Sequence, residues 1–397
     1  MEKLDLLIHI AHWAALGLCL WPSYLVFRDL ADVSQFWLET KRQVVMSTWY
    51  RRHVYLLLSI LAMAAAAYTH LVYSVGNLYL TVGIIAITVL QILAGYFNPG
   101  WMMRSAQHSS EFVSVKEAED FIPKDYEVLV IEKDGAARAH TDYELWRPHI
   151  VGNEEGLNGE NVVMTYCALT NLGMAYKPEI EGKPVNLKVM SQIENNLIMW
   201  DTHSGEPIQQ LWGRYECSGE QGPQMPQYPV FKMPFSAFAK AYPNGQVFKR
   251  RRVLMKENPL VALYDKFWEA LFYMAIHRQK QEAEPVFPTL KHKDNRLHPK
   301  LPVWGFNVGD DYVCYSADFV RAQGNLINTV VGDKQIVVHW SEEYQSLGIW
   351  YSDEPVSEID FFGNSNCGQL QRVETVKAGC FYAMWYNFFP STDVNRQ

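Results

Sequence analysis

Three apolar runs of about twenty residues each constrain the fold of this chain more than any other feature. They lie at residues 6–27, 54–75 and 78–97, and none of them contains Asp, Glu, Lys or Arg. A helix of about 20 residues is long enough to cross a hydrocarbon core of about 30 Å. Tryptophan and tyrosine side chains lie mostly near the ends of the runs, where amphipathic rings suit the membrane interface. The sequence therefore predicts three transmembrane helices in the first hundred residues.

The distribution of basic residues predicts which side of the membrane the remaining chain faces. The loop between the first two runs contains Arg28, Lys41, Arg42, Arg51 and Arg52. The short loop around Gly76 and Asn77 contains no charged residue. Because an excess of Lys and Arg marks the cytoplasmic side, three crossings would place the basic loop and the soluble region in the cytoplasm. We expect a multi-pass protein of the cell (inner) membrane, whose first partner is the lipid bilayer.

Beyond residue 104 the charge content is ordinary, and short predicted strands alternate with turn signals. Residues 126–132 form one predicted strand, and Asp134-Gly135 is a turn signal. The formal net charge of −8 argues against nucleic acid as a partner. The expected fold class is a membrane-anchored α+β protein with three transmembrane helices followed by a strand-rich soluble domain. The predicted parts are a transmembrane domain (1–103), a first soluble half (104–253), a helical connector (254–300) and a second soluble half (301–397).

A possible internal repeat suggests that the soluble domain is built from two related halves. Residues 162–176 match residues 337–351 without a gap, and Gly173 coincides with Gly348. A shared strand–turn–strand unit would explain the match. In this match Cys167 corresponds to Glu342, so the scaffold would not require a cysteine at that position.

Several segments of the soluble region resemble the domain of unknown function 3179 family of bacteria and archaea. The resemblance covers about residues 110–350 and is carried by segments 134–140, 162–167, 195–201, 210–213, 296–300 and 303–306. It implies no settled activity. Many relatives look exported or lipid-anchored, which would place the soluble domain on the opposite side from that predicted by the charge rule.

The family motif bears on the chemistry of Cys167. The strand usually ends in Tyr-Cys-Pro-Leu-Cys, which resembles a thiol redox site. Here the segment is Tyr166-Cys167-Ala168-Leu169-Thr170, so the second thiol is replaced by a threonine. The resemblance therefore implies a redox-like position that keeps one cysteine and cannot form a disulfide within the motif.

Cys167, His140 and His149 form the sharpest candidate constellation. A thiolate with imidazoles could bind copper or zinc, or could act as an activated nucleophile. The alternative is a buried cysteine with two surface histidines. A ligand pocket beside Cys167 could be lined by polar and aromatic side chains of the family-like segment, or these could satisfy backbone groups at turns. They are Asn195, Asn196, Asp201, Gln210 and Trp212.

Three histidines lie within the predicted membrane helices. His9 and His12 are near the start of the first helix, and His70 is near the end of the second. Because these helices would run antiparallel, the three side chains should share one leaflet. They could hold a haem or a metal ion, or they could bond water at the interface.

A basic run followed by an apolar-rich segment is a further candidate for membrane contact. Lys249-Arg250-Arg251-Arg252 precedes a segment of helical spacing at residues 259–279. Basic clusters beside amphipathic helices can bind anionic lipid head groups. Alternatively, the helix packs on its own domain and the basic turn is solvated.

These patterns leave three functional hypotheses open. The first is a membrane-tethered redox or metal-binding protein centred on Cys167. The second is a non-catalytic binding or assembly subunit that packs with other membrane subunits. The third is a small haem or quinone protein that uses the membrane histidines. The chain has no phosphate-binding Gly-rich loop, His-Glu-x-x-His or Gly-x-Ser-x-Gly motif, which gives kinase, zincin and serine-hydrolase functions no support.

Overall fold

A computed structural model of the protein describes residues 2–38, 40–219 and 222–396. The chain divides into two compact units. The first consists of Met1–Met102 together with the short segments Met190–Ile193 and Phe287–Thr289, and the second consists of the remaining residues.

The first unit is dominated by long helices. The α-helices of the described residues are α1 (Glu2–Leu30), α2 (Arg42–Tyr73), α3 (Leu78–Ile92), α4 (Asn98–Met103), α5 (Val115–Ala118), α6 (Phe235–Ala241), α7 (Pro259–Gln281), α8 (Ala317–Ala322) and α9 (Tyr382–Phe388). Three helical stretches are long and apolar enough to cross a membrane, namely Lys3–Leu30, Arg42–Tyr73 and Leu78–Phe97. The predicted three apolar helices are therefore confirmed.

Small residues allow the long helices to approach one another. Ala15, Leu16 and Ala66 form a buried cluster between α1 and α2. Beyond α3 the chain continues as a π-helical turn, in which Gly95 lies against the backbone of Val26. A Cβ atom at Gly95 would come within 2.5 Å of the Val26 carbonyl oxygen, so only glycine fits this crossing. Most other apolar side chains of the three helices point outward and are exposed.

The second unit is rich in short strands, as the sequence predicts. Those before residue 250 are β1 (Ser105–Ala106), β2 (Glu111–Ser114), β3 (Glu127–Lys133), β4 (Ala136–Thr141), β5 (Ile150–Val151), β6 (Val163–Cys167), β7 (Leu172–Tyr176), β8 (Glu179–Ile180), β9 (Lys183–Pro184), β10 (Leu187–Ile193), β11 (Asn196–Asp201), β12 (Pro207–Gln209), β13 (Arg214–Tyr215), β14 (Gln227–Tyr228), β15 (Val230–Pro234) and β16 (Gln246–Lys249). Those after residue 300 are β17 (Pro302–Val308), β18 (Asp311–Tyr315), β19 (Leu326–Val331), β20 (Lys334–Ser341), β21 (Ser346–Ser352), β22 (Asn364–Ser365), β23 (Gly368–Gln369), β24 (Gln371–Arg372), β25 (Lys377–Phe381) and β26 (Asp393–Val394).

Three sheets organise the part of the domain before residue 250. Their strand orders are β15-β3-β4-β16-β2, β1-β5-β6-β7-β14 and β10-β11-β12-β13. In the first sheet, β3 pairs antiparallel with both β15 and β4, whereas β4 and β16 are parallel. One core cluster packs around Val130, Phe231 and Phe238, and another packs around Met164 and Tyr166.

Two sheets organise the part after residue 300. Their strand orders are β25-β17-β18-β26 and β19-β20-β21-β24. In the first of them β17 pairs antiparallel with β25 and β18, and β18 is parallel to β26. A core cluster that includes Phe306, Tyr315 and Val338 contains residues of both sheets.

Candidate functional site

Cys167 is the last residue of β6 and is enclosed by protein. Its side chain is 3% exposed, and the thiol lies 3.8 Å from the Asn195 carbonyl oxygen, to which it donates. Burial raises the pKa of the Cys167 thiol, although hydrogen bonds from Thr170 oppose the change. The thiol is therefore neutral at neutral pH, and its position lacks the electropositive, accessible surroundings of a reactive thiolate.

A buried polar network surrounds the turn that follows Cys167. The amide nitrogen of Asn196 donates to Gln210 Oε1 at 2.9 Å, and Gln210 Nε2 donates to the Thr165 carbonyl at 3.1 Å. Asn196 Nδ2 also lies 3.5 Å from the hydroxyl of Thr170. Thr170 is the residue that stands where the family motif has its second cysteine. The predicted pocket residues Asn195, Asn196 and Gln210 are thus brought together with Cys167. They bond to one another and to backbone groups, which gives a rigid and closed arrangement.

The other two predicted pocket residues, Asp201 and Trp212, make contacts in other parts of the domain. Asp201 accepts hydrogen bonds from the backbone nitrogens of Asn186 and Ser204 at 2.9 and 3.0 Å, which stabilises the turn after β11. The ring of Trp212 packs edge-on against Phe388, with centroids 5.6 Å apart.

His140 and His149 are both buried among aromatic side chains. The ring of His140, on β4, packs against both Phe112 and Phe248, and that of His149 lies beside Phe272. Burial lowers the pKa of His140 to about 3 and that of His149 to about 4, so both imidazoles are neutral. Within the described residues, no group of three or more His, Cys, Asp and Glu side chains could hold a metal ion.

Two of the three histidines of the long apolar helices lie together. The rings of His12 and His70 are 6.4 Å apart. His12 Nδ1 is 2.9 Å from the Thr69 hydroxyl, and His70 Nδ1 is 2.8 Å from the Val75 carbonyl oxygen. His9 is exposed. His12 and His70, which the sequence places at the same end of two antiparallel helices, therefore form one cluster. Each imidazole already has a local hydrogen-bond partner.

A cavity of about 360 Å³ lies on the other face of the strand that carries Cys167. Successive side chains of a strand point to opposite faces, so Tyr166 faces away from its neighbour Cys167. The Tyr166 side chain is 1% exposed and lines the cavity, and its hydroxyl has no hydrogen-bond partner among the described residues. The other polar lining groups include Tyr126, Glu127, Asp142, Lys232 and Lys280.

Four of the five charged groups that line this cavity form two ion pairs, and the fifth is Asp125. Lys232 Nζ lies 2.8 Å from a Glu127 oxygen, and Lys280 Nζ lies 2.5 Å from an Asp142 oxygen. Tyr126 also donates to Asp142 at 2.6 Å. Burial opposes ionisation of Asp142, but Lys280 and Tyr126 hold its pKa below the ordinary value. Burial, and next the charge of Asp142, raises the pKa of Tyr166, so its hydroxyl stays a neutral donor.

Sequence reasoning missed this cavity, although one signal for it was present. Lys232 interrupts the apolar strand β15 and is only 4% exposed as a residue. A lysine in a buried strand is unusual unless it is paired, and could have drawn attention to the segment. Its carboxylate partner, Glu127, could not have been identified without the pairing of β15 with β3.

The fold and the cavity define a protein of two parts: an apolar three-helix unit, and a strand-rich domain that contains a polar cavity of ligand size. The chain belongs to the family described as "Protein of unknown function (DUF3179)", whose profile matches residues 106–392. The resemblance of the soluble region to this family is thereby confirmed. No curated protein and no solved structure matches the chain.

Proposed function

We propose that the protein is a membrane-tethered binding protein whose soluble domain takes a small polar ligand in the cavity lined by Tyr166 and Lys232. The observation that carries the proposal is the buried Tyr166 hydroxyl, which has no partner among the described residues and belongs to a side chain that lines the cavity. A buried hydroxyl without a partner costs about 1–3 kcal/mol, and an acceptor atom of a ligand would remove that cost.

The charges of the cavity favour a zwitterion of amino-acid size. A ligand carboxylate could bond both Tyr166 and Lys232, and a ligand ammonium could bond Asp142 or Glu127. The two ion pairs hold these groups in position. A volume of about 360 Å³ is at the small end of the range for ligand sites.

The test uses the full chain in mild detergent and measures its melting temperature with amino acids and related zwitterions. We expect at least one compound to raise the melting temperature of the wild type and not that of Tyr166→Phe. Tyr315→Phe, at an equally buried tyrosine of the second half, is the matched control and should keep the response. Equal responses in all three proteins, or none in the wild type, would refute the proposal.

We propose thiol redox or copper or zinc binding at Cys167 as a second candidate, because another buried cysteine lies close by. The backbone nitrogen of Phe381, next to Cys380, donates to the Thr170 carbonyl at 3.0 Å. Burial, and next the nearby Cys167, raises the pKa of Cys380. Cys380 would then serve as the second thiol that the motif lacks. Exchange with an oxidised disulfide would join the two sulfurs and pass two electrons and two protons to the reagent's thiols.

This second candidate is tested by treating the full chain with oxidised glutathione and mapping disulfides by mass spectrometry. A Cys167–Cys380 peptide pair that is absent from Cys167→Ser would support it, as would stoichiometric copper or zinc that the variant loses. The Cys217→Ser/Cys367→Ser variant, at the two exposed cysteines, is the control and should keep the pair. Unlinked peptides together with no bound metal would eliminate it.

We further propose that the soluble domain consists of two related halves. The support is topological: the orders β15-β3-β4-β16 and β25-β17-β18-β26 have the same sequence of antiparallel, antiparallel and parallel pairings. In addition, α6 follows β15 directly and α9 follows β25 directly.

We also propose that the three long helices cross the inner membrane and that the soluble domain faces the cytoplasm, following the charge rule. The exposed Cys367 offers the test. In spheroplasts that carry the Cys217→Ser variant, which lacks the other exposed cysteine, a membrane-impermeant maleimide should leave Cys367 unlabelled until the membrane is opened. Labelling of intact spheroplasts, lost in Cys367→Ser, would place the domain outside, as the family analogy implies.

A further inference from the structure

Helix α7 is apolar on two opposite faces, and the protein covers only one of them. The covered face contains Ala262, Ile276 and Gln279, which are buried. Such a helix packs on its domain through one face and leaves a second apolar surface without a partner in the described chain.

The uncovered face is a continuous stripe. Leu260, Leu263, Phe267 and Met274 are 79%, 55%, 57% and 58% exposed. At 3.6 residues per turn these four side chains fall within an arc of about 60° on the side away from the buried residues, along about 21 Å of helix. Soluble surfaces seldom expose so many large apolar side chains in a row without a function.

Basic residues line a groove of about 820 Å³ on the side of α7 that carries Ala262 and Lys266. Lys266 follows Leu263 of the stripe by three positions, so these two side chains are neighbours on the helix surface. Arg104, Arg147 and Arg250 also line the groove, but they form ion pairs with acidic residues of α7. Three other lining residues, Arg251, Lys256 and Lys266, are exposed and form no ion pair within residues 2–38, 40–219 and 222–396. Their charges are available to an external anion.

The chain itself keeps this groove close to the bilayer. Arg104, which lines the groove, follows Phe97, the last residue of the third apolar helix, by only seven residues. Seven residues span at most about 25 Å when fully extended. An apolar stripe on a helix that also carries or follows exposed cations, in a domain tethered this closely to a bilayer, matches the chemistry of anionic lipids at an interface.

We propose that α7 docks on the membrane surface, with Leu260, Leu263, Phe267 and Met274 inserted at the acyl boundary. Arg251, Lys256 and Lys266 bind the head groups of anionic phospholipids. The cations explain a preference for anionic lipid, and the apolar stripe explains why a membrane, rather than a free phosphate, is the partner. This docking surface is separate from the cavity at Tyr166 and does not depend on its ligand.

The test places a nitroxide label at position 267 of the full chain, using Phe267→Cys in a Cys217→Ser/Cys367→Ser background. The labelled protein is studied in nanodiscs of phosphatidylcholine with or without phosphatidylglycerol. With anionic lipid, we expect collisions with oxygen to exceed those with a water-soluble nickel chelate. Leu263→Cys, on the same face, should behave alike, whereas Val330→Cys, an exposed apolar position in the second half, should stay accessible to the chelate.

The charge requirement has its own variant, Arg251→Gln/Lys256→Gln/Lys266→Gln. The ratio of membrane-inserted to water-exposed label should fall about fivefold for each cation removed. A label at position 267 that stays water-exposed in anionic nanodiscs would overturn the proposal. So would protection that is independent of lipid charge and accompanied by dipolar broadening between two labels, since a second copy of the chain would then cover the stripe.

Discussion

Tyr166 and Cys167 are neighbours on one strand, yet their side chains have different surroundings. The Cys167 thiol faces a closed network of hydrogen-bonded amides, whereas the Tyr166 side chain lines a cavity and its hydroxyl has no partner among the described residues. The family motif draws attention to the cysteine because of its chemistry. At the scale of single residues, these surroundings make Tyr166 a better candidate than Cys167 for binding a ligand.

Removing the Tyr166 hydroxyl should stabilise the protein without ligand. An unpartnered buried hydroxyl costs about 1–3 kcal/mol, so Tyr166→Phe should raise the free energy of unfolding by about 1 kcal/mol. Denaturant titration of the soluble domain's fluorescence, in the detergent-solubilised full chain, measures the change. A loss of more than 1 kcal/mol would mean that the hydroxyl has a partner in the ligand-free protein.

The buried histidines predict a loss of stability in acid. The folded pKa values of His140 and His149, about 3 and about 4, lie below the ordinary value of 6.5. Between these values and 6.5 the unfolded chain binds protons that the folded chain does not, so stability falls as the pH falls below about 6.5. The slope is at most about 1.4 kcal/mol per pH unit for each histidine.

Melting temperatures of the full chain between pH 5 and 7.5 test this effect. His140→Gln should remove up to one proton from those that are taken up on unfolding in acid, whatever its effect on stability at neutral pH. The fall of stability with falling pH should therefore become less steep. His108→Gln, at an exposed position, is the control and should keep the wild-type slope. An unchanged slope in His140→Gln would show that His140 is protonated without unfolding.

At the scale of elements, Glu144 holds the segment that carries the basic run. Its buried carboxylate accepts from the Arg250 backbone nitrogen at 2.7 Å and from Arg252 at 2.7 Å. Glu144→Ala leaves a buried backbone donor without a partner, so we expect a loss of about 1–3 kcal/mol in denaturant titrations. Glu343→Ala, in the exposed pair with Lys240, should cost less than about 1 kcal/mol. Equal losses would remove the structural role given to Glu144.

Local sequence patterns predicted the strands and turns better than they predicted how the strands pair and align. The hairpin of β3 and β4 turns at Asp134-Gly135, where both residues have positive φ, as the turn signal indicated. The gapless sequence match aligned Cys167 with Glu342, but the ladders place Cys167 opposite Leu172 and Ser341 opposite Ser346, each as the last pair before a four-residue turn. Ser341 therefore occupies the corresponding hairpin position. A shift of one residue reverses the face of a strand side chain, so alignment alone could not assign its surroundings.

The sequence predicted those candidate site residues that lie close together along the chain, but not those that only the fold brings together. Asn195, Asn196 and Gln210 lie in one stretch with a family-like pattern, and two adjacent strands bring them together near Cys167. The cavity at Tyr166 instead needs β3, β6, β15 and α7, which are far apart in the sequence. No local pattern encodes such long-range pairings.

At the scale of the whole molecule, the two parts of the soluble domain meet where Gly379 packs against Lys232. Gly379 lies on β25 with φ +71°, and a Cβ atom there would come within 2.7 Å of the Lys232 side chain. A larger residue at position 379 would have to displace the end of the buried lysine that lines the cavity. The packing of the part after residue 300 therefore affects the shape of a site built mainly by the part before residue 250.

Gly379→Ala should damage both stability and the cavity. Gly135→Ala is the matched control, because Gly135 also has a positive φ (+81°) but open space around its Cα. The control should cost about 1–2 kcal/mol from backbone strain alone, and Gly379→Ala should cost more and also weaken the ligand response of the melting temperature. If the two variants lost equal stability, the contact with Lys232 would be unimportant.

The neutral imidazoles of His140 and His149 have a consequence for the habitat of the protein. A domain that loses stability below about pH 6.5 is more stable in surroundings buffered near neutrality than in acid. Facing the cytoplasm, it would be shielded from changes in the growth medium by the cell's own pH homeostasis. Facing outward, its stability would vary with the acidity of the medium.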